Sequence, residues 1–161
     1  MTDKSTMDDE YWMNLALAAA EQAQREGDVP VGCIVVHSDL GLVASEYNKR
    51  EVLQDPTAHA EVLALRSAAT KLGRWRLSDC TVYVTLEPCF MCAGALVNAR
   101  VGKVVYAAVD AKAGACESLA KVLNDDRLNH RCDVNQGVLQ DKARAQLQEF
   151  FRARRKKNTQ P

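Results

Sequence analysis

Apolar residues recur at helical and strand spacing through the first half of the chain. Residues 10–24 place them three and four positions apart, which predicts an amphipathic helix that ends at Gly27. Residues 31–37 and 42–47 have strand-like composition and are joined by a short polar turn, which predicts a β-hairpin. A second long helix is expected over residues 56–72.

The second half of the chain alternates strands with helices. Strands are expected at 81–85, 101–108 and 133–138, helices at 89–99 and 141–157, and a short helix between the last two strands. This order favours parallel pairing with right-handed crossovers. It predicts a single α/β domain over residues 1–161, in which one mixed sheet carries helices on both faces.

Charge is balanced over the whole chain but unevenly distributed along it. The sequence holds 21 basic and 21 acidic residues, so no overall field attracts it to nucleic acid. Residues 1–30 contain seven acids and two bases, whereas residues 152–161, the end of the last helix and the tail, are strongly basic. If RNA binds, we therefore expect it to bind locally, near the C-terminus.

Nothing in the sequence predicts export or membrane insertion. No apolar run approaches the ~18 residues that a membrane span needs, and the acidic N-terminus is unlike the basic start of a signal peptide. We therefore expect a cytoplasmic location and no membrane association. In that compartment the six cysteines are expected to be thiols or metal ligands rather than disulfides.

Three residues have the chemistry and spacing of a metal site. Cys89 and Cys92 lie three positions apart at the start of a predicted helix, so both sulfurs can meet one ion. Pro88 before them leaves the free N–H groups of the first turn near the thiolates, which favours metal binding. His59 lies in the first turn of its own predicted helix. One nitrogen and two sulfurs predict a zinc ion with an open fourth position, as in catalytic sites; structural sites usually have four ligands.

Glu61 is the candidate proton carrier. It follows His59 by two residues, which is ~200° around a regular helix and unfavourable for convergence on one point. The objection weakens if the metal lies near the helix axis just beyond the N-terminus, since first-turn side chains then reach it from different sides. A carboxylate there can carry a proton between a water molecule and a substrate nitrogen.

The combined motif is more specific than either half. His-x-Glu followed by Pro-Cys-x-x-Cys is the signature of the zinc nucleobase deaminases, whereas Cys-x-x-Cys alone also occurs in redox sites and zinc ribbons. The chain resembles the bacterial tRNA-specific adenosine deaminases along nearly its whole length. The segments that carry this resemblance are Val-Pro-Val-Gly (29–32), Tyr-Asn (47–48), Asp-Pro-Thr-Ala-His-Ala-Glu (55–61), the segment 83–95 around Glu-Pro-Cys-Phe-Met-Cys, Asp-Ala-Lys-Ala-Gly-Ala (110–115) and Phe-Phe-Arg-Ala-Arg-Arg (150–155).

The resemblance implies a fold, an activity and a cofactor. The fold is the cytidine deaminase-like three-layer αβα sandwich with a five-stranded mixed sheet, and the assembly is a homodimer. The activity is conversion of adenosine to inosine at the wobble position of a tRNA anticodon, usually of an arginine tRNA. One Zn²⁺ per chain is implied, bound by His59, Cys89 and Cys92, with Glu61 as the proton shuttle.

The resemblance also implies substrate contacts. Asn48 would hydrogen-bond the target base, in a pocket lined by Val31, Ala60 and Leu86. The residues that would hold the flanking nucleotides are Asp110, Lys112, Phe150, Phe151 and Arg154. Two of these residues have a simpler interpretation, since Asn48 is also suited to cap the hairpin and Asp110 to cap the turn after its strand.

Two other functions are compatible with parts of the pattern. A deaminase of free cytosine, free guanine or a nucleoside would share the zinc site, although a free base needs neither the basic C-terminal segment nor the Asp110 loop. A zinc-stabilised RNA-binding domain without activity would have no use for Glu61. Outside the motif, His37 and His130 are expected to be structural or at the surface. Four cysteines are expected to be buried thiols that act as small hydrophobes: Cys33, Cys80, Cys116 and Cys132.

Overall fold

The computed structural model, which describes residues 4–159, contains one mixed sheet of five strands. In chain order the strands are β1 (Gly32–His37), β2 (Gly41–Tyr47), β3 (Cys80–Leu86), β4 (Lys103–Ala108) and β5 (Asp133–Gln136). Their spatial order is β2-β1-β3-β4-β5. β1 pairs antiparallel with β2 and β3, whereas β3, β4 and β5 run parallel. The predicted hairpin and the parallel pairing of the later strands are confirmed.

Helices cover both faces of this sheet. In chain order they are α1 (Lys4–Arg25), α2 (Arg50–Leu53), α3 (Ala60–Leu72), α4 (Phe90–Asn98) and α5 (Gln140–Asn158). α1 and α5 pack on one face, and α3 and α4 pack on the other. The expected three-layer αβα sandwich is confirmed, and each face of the sheet has a hydrophobic core of its own.

The central strands are apolar at consecutive positions because both of their faces are buried. Ile34, Tyr83 and Val105 lie in the core beneath α1 and α5. The neighbouring residues Val82 and Val104 lie in the core beneath α3 and α4.

Gly32, at the start of β1, lets α1 pack directly on the strand. A Cβ atom at this position would overlap the backbone carbonyl oxygen of Ala16 in α1. Neither backbone can give way easily, since one is held by the helix and the other by the sheet. The glycine of the 29–32 segment thus fixes the N-terminal end of β1 against α1.

The structure corrects three helix predictions. α1 begins at Lys4 rather than at residue 10, and Asp9 lies within it, accepting a hydrogen bond from the Tyr83 hydroxyl at 2.8 Å. α3 begins at Ala60 rather than at residue 56. The N–H and hydroxyl groups of Thr57 both donate to the Asp55 carboxylate, and these bonds hold Thr57 in a turn before the helix. Within residues 4–159, turns replace the short helix expected between β4 and β5, and the unexpected α2 follows β2.

Residues outside the predicted site hold structural positions. Cys33, Cys80, Cys116 and Cys132 are buried free thiols, as expected. His37 contacts Asp79, with 2.9 Å between Nε2 and Oδ2, and His130 Nε2 lies 2.7 Å from the Val101 carbonyl oxygen. Across the described part of the chain, no helix combines the length and the apolar character that crossing a membrane requires. Residues 160–161 of the predicted basic tail lie outside the described residues.

Candidate active site

One edge of the sheet brings most of the predicted site residues together. β1 begins at this edge, β2, β3 and β4 end there, and α3 and α4 start from it. The elements enclose a cavity of about 210 Å³. The predicted residues that line it are Val31, Asn48, His59, Ala60, Glu61, Leu86, Cys89 and Asp110.

Three donor atoms at the cavity form a group that fits zinc. His59 Nδ1 lies 3.7 Å from Cys89 Sγ and 3.5 Å from Cys92 Sγ, and all three ligand atoms lie within 4.8 Å of one another. Zinc bonds of about 2.1 Å to nitrogen and 2.3 Å to sulfur, at a tetrahedral angle, place those two donors about 3.6 Å apart. The donor set and its spacing are therefore compatible with a zinc ion.

His59 and Cys89 are N-cap residues rather than members of the first helical turn. Both have extended backbone, and their carbonyl groups accept the first hydrogen bonds of α3 and α4. Because His59 precedes the helix, the ~200° separation of a regular helix does not apply to His59 and Glu61. Glu61, the second residue of α3, reaches the same cavity from the helix proper.

The thiol of Cys89 ionises easily in this arrangement. Hydrogen bonds from Cys92 and His59 lower the pKa of Cys89 to about 3. Cys92 lies one helical turn further on and is fully buried. A thiolate at the start of a helix is also stabilised by the free N–H groups of its first turn, which suits a metal ligand.

Glu61 is a buried carboxyl group facing the cavity. Its residue is 4% exposed, and burial raises the pKa of its side chain above the ordinary value. A carboxyl group with a raised pKa both gives and takes protons more readily near neutral pH than an exposed one. The site therefore contains a group suited to acid–base chemistry beside the metal-binding donors.

Asn48 lines the cavity and is held there by the protein. Its Nδ2 atom donates to the Val29 carbonyl oxygen at 3.2 Å and lies 3.4 Å from a carboxylate oxygen of Asp28, while Oδ1 accepts from the Arg50 N–H at 3.3 Å. These contacts tie Asn48 to the segment before β1 and to the start of α2 rather than to the turn of the hairpin. The same contacts fix the amide at the cavity, and its Oδ1 atom has the capacity to accept a second hydrogen bond.

Asp28 and Glu87 are two buried carboxylates that the sequence analysis did not assign. Asp28 is fully buried and accepts hydrogen bonds from the N–H groups of Glu51 and Val52, which anchors α2. Glu87 precedes Pro88 in the motif, lines the cavity and accepts hydrogen bonds from the loop after β4. An acid next to the candidate metal ligands Cys89 and Cys92 was a signal that could have drawn attention to Glu87.

The capping role considered for Asp110 is present, and its contact with substrate stays a prediction. Its Oδ1 atom accepts from the N–H groups of Lys112 and Ala113, each at 3.1 Å, so it caps the turn after β4. It also lines the cavity. Capping and substrate contact are therefore compatible at this position.

A wide basic groove opens next to the cavity. It has a volume of about 1100 Å³ and shares Arg50, Leu86 and Asp110 with the cavity. One acid and six bases line it, and Phe151 lies among them, 42% exposed. The six bases are Arg50, Lys112, Arg144, Arg152, Arg154 and Arg155. Of these residues, Lys112, Phe151 and Arg154 were predicted from the sequence, whereas Arg50 and Arg144 were not.

Phe150 does not reach the groove. It is 7% exposed and packs near Gln24 and Gly27, on another side of α5. Consecutive residues of a helix are about 100° apart, so Phe150 faces the body of the protein while Phe151 faces the groove. The placement of Phe150 beside flanking nucleotides is corrected accordingly.

Comparison with known proteins identifies the family. The chain matches the MafB19-like deaminase family over residues 7–155. A tRNA-specific adenosine deaminase of Bacillus subtilis (strain 168) is 44% identical over 149 residues, which cover 92% of each chain. A tRNA-specific adenosine deaminase of Haemophilus influenzae is 41% identical, over 91% of this chain and 85% of its own.

A solved structure gives the same answer. It comes from a study of deaminases that perform A-to-I editing at the wobble position of transfer RNA, and it is 38% identical with a TM-score of 0.81, over 85% of this chain and 99% of its own. The similarity in sequence and the similarity in structure thus both extend over most of this chain and of the proteins compared with it. The chain belongs to the family of tRNA-specific adenosine deaminases.

Proposed function

We propose that this protein is a zinc-dependent deaminase that converts adenosine to inosine at the wobble position of a tRNA anticodon. The observation that supports this most directly is the basic groove that opens onto a small cavity lined by His59, Cys89 and Glu61, with the buried Cys92 beside them. Bases of an anticodon loop are unpaired, so one of them can be splayed into a cavity at less cost than from a duplex.

The cavity residues divide the chemistry between them. His59, Cys89 and Cys92 would hold one Zn²⁺ per chain, which when bound supplies a water molecule of lowered pKa. Glu61 carries protons: it takes one from the attacking water and delivers it to N1 of the adenine as the C6–O bond forms. It then takes the second from the resulting hydroxyl group and delivers it to the exocyclic amine as the C6–N6 bond breaks. Water is consumed, ammonia leaves and inosine remains.

The surrounding residues hold the substrate. Asn48, fixed by Asp28 and Val29, would hydrogen-bond the target base. Val31, Ala60 and Leu86 would enclose its apolar faces. Flanking nucleotides would lie in the groove, with Phe151 stacking against a base and Lys112 and Arg154 near phosphates, the usual combination in single-strand recognition.

We further propose that the tRNA is an arginine tRNA and that the chain works as a homodimer. The tRNA identity is supported by the sequence resemblance. The homodimer is supported by a concave, largely apolar surface on the outer side of α3 and α4, where Leu65 and Ala95 lie beside Trp75, 57% exposed. Sedimentation at micromolar concentration tests the dimer; a single species of monomer mass would contradict it.

The central experiment offers zinc-loaded protein an anticodon stem-loop with a wobble adenosine. Adenosine-to-inosine conversion is measured, with free adenosine, cytosine and guanine in parallel. Conversion of the stem-loop alone is expected. Turnover of a free base alone would contradict the RNA substrate while leaving the zinc chemistry intact.

A matched variant tests the role of Glu61 in the same assay. Glu61→Gln keeps the size of the side chain but removes the ionisable group. We expect deamination to fall by at least about 10³-fold, while the zinc content measured by atomic absorption stays near one per chain. Substantial residual activity in this variant would refute the proton-carrier role.

A further inference from the structure

Glu87 is a buried carboxylate whose hydrogen bonds all come from one loop. It is 2% exposed. Its Oε1 atom accepts from the Asp110 N–H at 3.0 Å and from the Ser118 hydroxyl at 2.6 Å. Its Oε2 atom accepts from the N–H groups of Cys116, Glu117 and Ser118 at 3.0–3.1 Å. Among the described residues, no lysine or arginine forms an ion pair with it.

The loop, residues 110–118, is wrapped closely around this carboxylate. A Cβ atom on Gly114 would overlap the carboxyl group of Glu87. Gly114 also forms a β-bridge with Cys89, and the Ala115 N–H donates to the Pro88 carbonyl oxygen at 2.8 Å. The loop therefore follows the 87–89 segment along its length, with the carboxylate filling its interior.

The same loop forms one wall of the site. Asp110 and Ala113 line both the cavity and the groove, and Lys112 lines the groove. The Asp110 carboxylate supports the backbone of residues 112 and 113, while the Asp110 N–H is itself held by Glu87. A chain of hydrogen bonds thus leads from Glu87 to the wall that faces the substrate.

We propose that Glu87 is a positioning residue for the deamination, which acts by fixing the 110–118 loop against the cavity. This inference rests on the proposed function. Without the carboxylate, four N–H groups and one hydroxyl lose their acceptor; the Cys116 N–H is buried and the others are partly buried, and such groups are costly to leave unpaired. The loop then rearranges to satisfy them, and the wall formed by Asp110 and Ala113 moves with it.

The first test replaces Glu87 by glutamine in the zinc-loaded protein. Glu87→Gln keeps the shape but turns one acceptor into a donor that faces N–H groups. A misplacement of about 1 Å at a reacting site costs on the order of 10²-fold in rate. We therefore expect kcat on the anticodon stem-loop to fall about 10²-fold, with zinc content unchanged and with faster amide hydrogen exchange confined to residues 110–118.

Asp9→Asn provides a matched control for loss of a buried carboxylate. Asp9 is 7% exposed and accepts hydrogen bonds from Tyr83 and Asn135, in the layer away from the cavity. We expect this variant to lower the melting temperature while leaving kcat unchanged. If Glu87→Gln lowered only the melting temperature, as Asp9→Asn should, Glu87 would be structural and the proposal would be wrong.

A milder variant keeps the proposal testable if Glu87→Gln does not fold. Ser118→Ala removes the 2.6 Å hydrogen bond but leaves the carboxylate and its four backbone contacts. It should lower kcat severalfold and speed exchange at residues 116–118. Wild-type kcat and wild-type exchange in Ser118→Ala, or loss of activity only in proportion to lost zinc, would overturn the proposal.

The exchange measurement separates this inference from the proposed function. If the wild-type protein did not deaminate the stem-loop, the proposed function would fail, yet the Glu87–loop coupling would still be read from exchange. If the wild type were active and the Glu87 and Ser118 variants had the same kcat and the same amide hydrogen exchange as the wild type, only the positioning role would fail.

Discussion

The adjacent residues Phe150 and Phe151 provide a sharp test of the assigned site, because the structure gives them opposite roles. Phe150 is 7% exposed and Phe151 is 42% exposed in the basic groove. Replacing a buried phenylalanine by alanine costs about 3–5 kcal/mol. For a chain of this size each kcal/mol shifts the melting temperature by about 2–4 °C, so Phe150→Ala should lower it by about 6–20 °C.

Phe151→Ala should instead leave stability nearly unchanged and weaken binding of the stem-loop. Much of its ring is already in solvent, so we expect a stability loss of about 1 kcal/mol. Stacking of a base on an aromatic ring contributes about 1–3 kcal/mol, which corresponds to a five- to 150-fold rise in Kd for the stem-loop.

Two measurements on each variant suffice for the comparison. Thermal unfolding followed by circular dichroism gives the stability, and single-turnover deamination over a range of protein concentrations gives the Kd. The assignment would be refuted if Phe151→Ala bound the stem-loop with the Kd of the wild type. It would also be refuted if Phe150→Ala had an unchanged melting temperature.

Four further predictions follow from the fold and the groove. Removal of zinc by a chelator should abolish deamination and lower the melting temperature, and added zinc should restore both; activity that survives complete removal would contradict the zinc site. Combined Arg144→Ala and Arg155→Ala should reduce the slope of log binding constant against log salt by about 1.4, since each single-strand phosphate contact contributes about 0.7; an unchanged slope would place the RNA elsewhere. Gly32→Ala should destabilise the protein severely, seen by urea unfolding, because α1 must move; near-wild-type stability would contradict the close packing. Burial raises the pKa of Cys80 to about 11 and that of Cys132 to about 12, so a thiol reagent at pH 8 should label them only after unfolding, as mass spectrometry would show.

The chemical centre was predictable because its residues lie in two short motifs, His-x-Glu and Pro-Cys-x-x-Cys, whose combination is specific. Cys89 and Cys92 are three positions apart, and the structure brings His59 to 3.5–3.7 Å from their sulfurs. The conformation of His59 was not predictable, because periodicity cannot show which residue is the N-cap. The turn held by Asp55 determines it.

The walls of the site were harder to predict, because distant contacts determine them. The 110–118 loop has no apolar periodicity and takes its shape from Glu87, more than 20 positions away in the chain. The helix α2 has four residues, too few for a pattern, and depends on the buried Asp28. Whether Phe150 or Phe151 faces the groove depends on the rotation of α5 about its axis, and the amphipathic pattern of the helix does not decide between two adjacent aromatic residues.

The meeting of strand ends and helix starts at one edge of the sheet has a consequence for engineering. The metal-binding donors and Glu61 are carried by helix starts packed on the sheet, whereas Asp110, α2 and the groove side of α5 belong to segments that connect or flank it. Loops at such an edge can change in length and composition without altering the sheet beneath them. New base or sequence preferences should therefore be sought by randomising residues 50–54, 111–113 and the exposed side of α5. The sheet, the starts of α3 and α4, and the loop residues 110 and 114–118 that are held by Glu87 are left unchanged.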